Sequence, residues 1–185
     1  MKKHLSDDEI ISMLNAVDDP NSKQTIRREA SIRQIMNALE KATVPLHKQI
    51  LCDILGEREA KSAVSLLLQH TNNESRGVQI AAVDALAKIG NPRVGAYLFQ
   101  LLSLPSQDIR LVRTIIIALG AVGYTPAHER LILALKSADE SIRGGAVWSL
   151  GHMRIHEALP LMQELAKHEQ SPYVLARLKE AMTTL

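Results

Sequence analysis

Apolar residues recur along this chain in phrases that come back. Ala85-Leu86-Ala87-Lys88-Ile89-Gly90 returns as Ala118-Leu119-Gly120-Ala121-Val122-Gly123, 33 positions on, and as Ser149-Leu150-Gly151-His152-Met153-Arg154, 31 positions after that. A period in this range marks stacked helical repeats, in which one supersecondary unit is copied and laid against its neighbour. Within four residues of each phrase a second apolar stretch follows, at 92–102, 126–135 and 156–165. One repeat is therefore read as two helices joined by a tight turn. Asp53-Ile54-Leu55-Gly56 leads in the same way into residues 60–68, with Gly56 lying 34 positions before Gly90, and Tyr173-Val174-Leu175-Ala176 opens a closing half-repeat that runs to Met182. The expected fold is all-α, with four helical pairs and a final helix, more than the roughly three units such a stack needs for stability.

The first 42 residues are read as a separate cap and residues 43–185 as one continuous domain. Leu5-Ser6-Asp7-Asp8-Glu9-Ile10 carries a serine followed three positions later by glutamate, with apolar residues on either side, which together predict a capping box. A helix over 6–17 follows, whose Ile10, Met13, Leu14 and Val17 stand at i, i+3, i+4 and i+7 and form one stripe. A second, more polar helix is predicted over about 22–41, with Ile26, Ala30, Ile35, Ala38 and Leu39 on one side. Thr43 is positioned to cap the next helix and Pro45 to occupy its first turn, where no amide donor is missed. Later helices start at Asn91-Pro92, Thr125-Pro126, Asp139 and Ser171-Pro172. Gly56, Gly90 and Gly123 are read as the left-handed residues of the turns. No strand is expected: alternation is missing, and Thr114-Ile115-Ile116-Ile117 sits in a helical frame.

Composition narrows the function. Aromatic residues make up 3% of the 185, too few for the stacking platforms that hold single-stranded nucleic acid. The net charge is +2 and neither half is basic: residues 1–92 hold 12 basic and 12 acidic side chains, residues 93–185 hold 10 and 8. Nucleic acid is therefore not the expected ligand. The lone Cys52 permits no internal disulfide and no thiolate-rich metal site, and is read as a small core residue of a cytoplasmic protein. No run approaches the roughly 18 apolar residues of a membrane span. His152 and His156 imitate a metal pair, but the predicted turn separates them, so no cofactor and no metal is expected. Trp148 is read as a core residue of its repeat. Gly144 and Gly145, inside a helix, each cost about 0.8–1.0 kcal/mol relative to alanine, which suggests the close approach of another helix near Trp148.

Ile142-Arg143-Gly144-Gly145-Ala146-Val147-Trp148-Ser149-Leu150-Gly151, followed by Glu157-Ala158-Leu159-Pro160-Leu161-Met162-Gln163-Glu164-Leu165, resembles HEAT-like repeats of the phycobilisome-lyase type, a likeness that covers about residues 43–185. It implies a right-handed α-solenoid whose second helices line the concave side. HEAT-like repeats also occur in di-iron hydroxylases, whose His-Glu ligands would fall here at Gly144-Gly145, and in glycosylases, which need several aromatic residues around a flipped base. His128-Glu129, His156-Glu157 and His168-Glu169 stand at the starts or ends of second helices, the wrong elements for that iron site. Leu5 to Val17 resembles the N-terminal peptide of the flagellar switch protein, which docks on a phosphorylated response regulator. Leu5, Ile10, Met13, Leu14 and Val17 are accordingly an N-terminal contact to a partner, a seam through which the chain pairs with itself, or a cap.

Aligned, the second helices place Ala63, Val94, Ala127 and Ala158 in one row and Leu67, Leu98, Leu131 and Met162 in another, both expected in the core. Flanking rows hold Leu66, Tyr97, Arg130 and Leu161, and Leu68, Phe99, Ile132 and Gln163. The expected function is a non-enzymatic scaffold or adaptor that receives a protein partner on Leu66, Leu68, Tyr97, Phe99, Arg130, Ile132 and Gln163. The alternatives are a signalling adaptor working through residues 5–17, a lyase-like helper in chromophore attachment, and a nucleic-acid-binding member of the same repeat class.

Overall fold

A computed structural model describes residues 5–16, 20–104 and 108–185. Two compact units divide the chain, Met1–Ile89 and Gly90–Leu185. Every element among the described residues is helical. The first unit contains α1 (Asp7–Asn15), α2 (Pro20–Glu29), α3 (Ile32–Lys41), α4 (Pro45–Glu57), α5 (Val64–His70) and α6 (Arg76–Ile89); the second contains α7 (Gly95–Leu102), α8 (Ile109–Ala121), α9 (His128–Ala134), α10 (Glu140–His152), α11 (Leu159–His168) and α12 (Pro172–Thr184).

In the first unit Ser6 closes its capping box as expected: its Oγ accepts from the Glu9 amide while the Glu9 carboxylate accepts from the Ser6 amide. The helix it starts ends at Asn15, and Val17 lies outside the described residues. The single helix expected over 22–41 is two. Ser31 interrupts it with a second capping box, in which Gln34 supplies the reciprocal acceptor, and two otherwise unpaired amides satisfied this way start a new helix. The Gln34 amide group also donates to the Leu5 carbonyl, and Lys41 pairs with Asp7 at 2.9 Å, so residues from the two ends of α3 both hold the start of α1. Against α4, α2 sets Lys23 on Asp53 and Arg27 on Glu57, and Arg58 donates to the Ala30 carbonyl. Helix α4 itself has Val44 at the N-cap position, Pro45 in the first turn and no side-chain cap, so Thr43 does not act as one.

The repeat turns correct one glycine assignment. Gly56 is inside α4, and the residue with positive φ is Glu59, at 49°. Its amide donates to the Gly56 carbonyl and that of Ala60 to Leu55; Gly123 and Tyr124, then Arg154 and Ile155, repeat the pattern. This paired bonding is the left-handed helix stop. The matching positions are thus Glu59, Gly90, Gly123 and Arg154, spaced 31, 33 and 31, and Gly56 belongs three residues earlier, with Gly120 and Gly151. Those three need their missing side chain for another reason. A Cβ on Gly56 would lie 2.7 Å from Ala85 Cα, on Gly120 2.6 Å from Ser149 Cβ, and on Gly151 2.7 Å from Ala181 Cβ. First helices α4 and α6, α8 and α10, and α10 and α12 therefore cross backbone against small residue. Ser149, fully buried, adds a hydrogen bond from its Oγ to the Ile116 carbonyl at 2.9 Å.

Each second helix opens with one 3-10 turn, at Lys61–Ala63, Pro92–Val94, Thr125–Ala127 and His156–Ala158. Both rows expected in the core are there: Ala63, Val94, Ala127 and Ala158, and Leu67, Leu98, Leu131 and Met162, are all buried. Between repeats, a side chain of the following first helix clasps the end of the preceding second helix. Gln79 donates to the Asn73 carbonyl at 2.6 Å, and Arg143, 64 residues on, donates to Ser137 and Ala138 at 2.9 Å. Arg143 also forms a two-point pair with Glu169, at 2.7 and 2.8 Å, and Glu169 accepts the amides of Gln170 and Ser171. Gly144 admits a neighbour, as expected, but the neighbour is the Tyr173 ring, whose Cε1 would lie 2.3 Å from an added Cβ. Trp148 is not a core residue: it is half-buried and stacks on His152, ring centres 4.8 Å apart.

Two outcomes follow. Arg154 holds φ at 55°, a conformation costing a non-glycine residue about 1–2 kcal/mol, partly offset in glycine by its larger entropy loss. Arg154→Gly should stabilise the chain by roughly 0.5–1 kcal/mol in urea denaturation, and a loss of stability would contradict the strain. Glu169 is held down at about 2 by the Arg143 guanidinium, with the two amides helping, against an ordinary value of 4.5. A folded value below the unfolded one means its stabilisation is complete above pH 4.5 and drains as pH falls towards 2. Urea midpoints across that window should fall less steeply for Glu169→Gln than for the wild type.

Candidate functional site

Helix α9 is the centre of the candidate site. Leu131 is fully buried, and at 100° per residue a side chain two positions on points to the opposite side. Leu133 is accordingly 58% exposed, and Arg130 is exposed beside it. Two depressions flank the helix. One, of about 330 Å³, is lined by Leu102, Leu104, Val112, Ile116, Arg130, Leu133, Ala134, Ser137 and Ile142. The other, of about 260 Å³, lies between α9 and α11 and is lined by Ile132, Leu135, Lys136, Leu161, Glu164, Leu165 and His168. Its walls are almost wholly aliphatic. Its rim carries charge of both signs, and the Glu164 carboxyl is held below its ordinary value by Lys167 first and His168 after it.

The residues expected to bind a partner are spread over several environments. Leu66 and Leu68 belong to the first unit; Leu66 is 7% exposed and serves the core, so it presents nothing to a partner, while Leu68 is half-buried. In the second unit Tyr97 and Phe99 are half-buried, and the Phe99 ring leans on Tyr124, centres 6.0 Å apart. Tyr124 itself fills the space left by Gly95. Arg130 and Ile132, read as one surface, stand on opposite depressions. Gln163 is exposed on α11. The row alignment does not single out Leu104, Leu133 or Leu165, which line these depressions. Leu133 was legible as a leucine off the buried stripe, whereas Leu104 lies beyond the end of α7 and no helical spacing predicts it.

The N-terminal residues are engaged within the chain. Leu5, Ile10 and Leu14 are buried, with α1 lying on α2 and α3; Met13 is half-buried. Of the readings open for this stripe, a contact to a partner or a second copy and a cap, its burial fits the cap: the Ser31 capping box starts α3, which packs against it. Cys52 is fully buried, and burial, with Asp53 beside it, pushes its thiol up to about 12, a value at which no thiolate nucleophile forms. Among the described residues no group of three His, Cys, Asp or Glu side chains is placed to hold a metal ion. Among them, too, no helix is long and apolar enough to cross a membrane.

Comparison with known proteins agrees with this geometry. The family profile described as HEAT repeats matches residues 32–113 and 98–183. Phycocyanobilin lyase subunit alpha of Thermosynechococcus vestitus (strain NIES-2133 / IAM M-273 / BP-1) is 31% identical over 119 residues, 64% of this chain and 42% of that protein. The chain thus spans about two fifths of the length of this relative. The complex of CpcE and CpcF of phycocyanin lyase from Nostoc sp. PCC7120 is similar in fold, with a TM-score of 0.68 at 16% identity, over 94% of this chain and 74% of that one. A designed armadillo repeat protein in complex with the peptide (KR)4 is similar with a TM-score of 0.66 at 16% identity, over 96% and 91%.

Ile10 supplies a test of where α1 belongs. Ile10→Ala should cost about 2–5 kcal/mol in urea denaturation, as for a fully buried aliphatic side chain; a change within about 0.5 kcal/mol, normal for a surface site, would mean that the stripe is free.

Proposed function

The chain belongs to the HEAT-repeat family, and from that premise we propose that it is a protein-interaction scaffold which binds its partner on the second helices of the Gly90–Leu185 unit and performs no bond chemistry of its own. The observation that carries this reading is the aliphatic depression between α9 and α11, where Ile132 and Leu165 are half-buried and Leu161 is 40% exposed. A solvent-facing aliphatic surface with a charged rim is the form of a protein-binding patch. The similar structures support a protein partner, since one is a complex between two chains and the other holds a peptide. Phe99, Tyr97 and Gln163 extend the proposed surface along the neighbouring helices.

A second reading is favoured by the 31% identity to a phycocyanobilin lyase subunit: the same surface would dock the chain into an assembly that attaches a chromophore. Pigment copurifying with the protein from its source cell supports that version, and colourless complexes support the plain scaffold.

Each aliphatic side chain withdrawn from water contributes about 1.5–3 kcal/mol, and each 1.4 kcal/mol is about tenfold in affinity. In affinity capture from the source cell followed by mass spectrometry, the double variant Ile132→Asp, Leu161→Asp should therefore retain partners at least about tenfold less well than the wild type, with helicity unchanged. Equal retention would remove this surface from the proposal.

A further inference from the structure

Leu133, at 58%, and Leu104, at 55%, are the most exposed of the large apolar side chains described, and both line the 330 Å³ depression on the other side of α9 from the proposed patch. Val112, Ile116 and Ile142, from the first helices α8 and α10, form its floor. The volume is at the lower limit of small-ligand pockets, about 300–1,000 Å³, and the two exposed leucines leave it open to solvent. That form suits side chains entering from a partner's backbone better than an enclosed cofactor.

The charge at its edge selects among partners. Arg130 is exposed and lines the same slot. Glu169 and Asp108 in the same unit are already matched, to Arg143 and Arg110. Arg130 enters no hydrogen bond or ion pair among the described residues. An unmatched guanidinium beside an aliphatic slot favours a carboxylate, which it can hold by two parallel hydrogen bonds, and a ligand that satisfies both features gains apolar burial and a charge pair together.

We infer that this slot binds a segment of a partner protein in which a bulky aliphatic or aromatic side chain enters between Leu104 and Leu133 while a neighbouring aspartate or glutamate pairs with Arg130. This rests on the protein-binding reading above and adds to it a second contact with its own chemistry, reached from the opposite side of α9.

The probe is a phage-displayed library of random peptides panned on the full chain, with the enriched sequences resynthesised and titrated by fluorescence anisotropy. The expected consensus is an apolar residue with an acidic one close by in sequence. Leu133→Asp should weaken these peptides about tenfold or more. Arg130→Glu should weaken them about fivefold or more, with affinity recovered when the peptide's acidic residue is changed to lysine. Binding by the wild type should decline as salt is raised. Both positions are exposed, so circular dichroism should show unchanged helicity. Peptides that respond to Ile132→Asp but not to Leu133→Asp overturn this slot and leave the scaffold reading in place. A consensus without acidic residues, or no recovery on charge exchange, overturns the role of Arg130. A panning that enriches nothing overturns the inference as a whole, while the scaffold reading stands or falls by its own capture experiment.

Discussion

The distance between first helices governs everything else in this molecule. Gly56 against Ala85, Gly120 against Ser149 and Gly151 against Ala181 bring paired helices so near that a single added carbon would meet a neighbouring backbone or β-carbon below 3 Å. Close approach of this kind maximises dispersion contact along the whole crossing and draws the second helices with it. Short second helices contribute little to holding that spacing: α5 and α9 have seven residues each, well below the roughly 12–15 at which an isolated helix is even marginal in water. They are helical because firmly packed first helices hold them.

Much of the fold could be read from residues alone, and the reasons differ by element. The core rows were legible because burial in a repeat leaves a periodic imprint: Leu67, Leu98, Leu131 and Met162 stand where 31- and 33-residue steps place them, and all are buried. The register of the first copy was not, because glycine serves two purposes in this chain. It stops helices at Gly90 and Gly123 and admits close neighbours at Gly56, Gly120 and Gly151, and a sequence shows the residue without the purpose. Where Glu59 and Arg154 take the left-handed role, no glycine marks the turn at all. Ser31 hid for the opposite reason. Its partner is glutamine three positions on, a weaker sign than the glutamate after Ser6, and the apolar stripe runs through the break without a fault.

The candidate surface was less legible than the core. A row alignment finds positions equivalent by repeat, yet two rows that flank one stripe need not share a face: Arg130 and Ile132 are two residues apart and face away from each other. Leu66 occupies a row that is half-buried at Tyr97 and exposed at Arg130 and Leu161, and in its own repeat that row is buried. What did signal the surface was excess, a leucine such as Leu133 standing where the buried stripe has no use for it. Trp148 misled by composition, since a lone tryptophan among aliphatic helices suggests a buried anchor, and here the indole lies flat against His152 at the surface of α10.

The brevity of α9 has one more consequence. A helix of two turns with a proposed contact on each flank could not be excised as a working peptide, because once removed from the scaffold it would lose the geometry that sets Arg130 and Leu133 apart from Ile132. Specificity of the proposed binding would thus be a property of the array and not of any fragment, and whatever loosens the array would dissolve the proposed epitope with it.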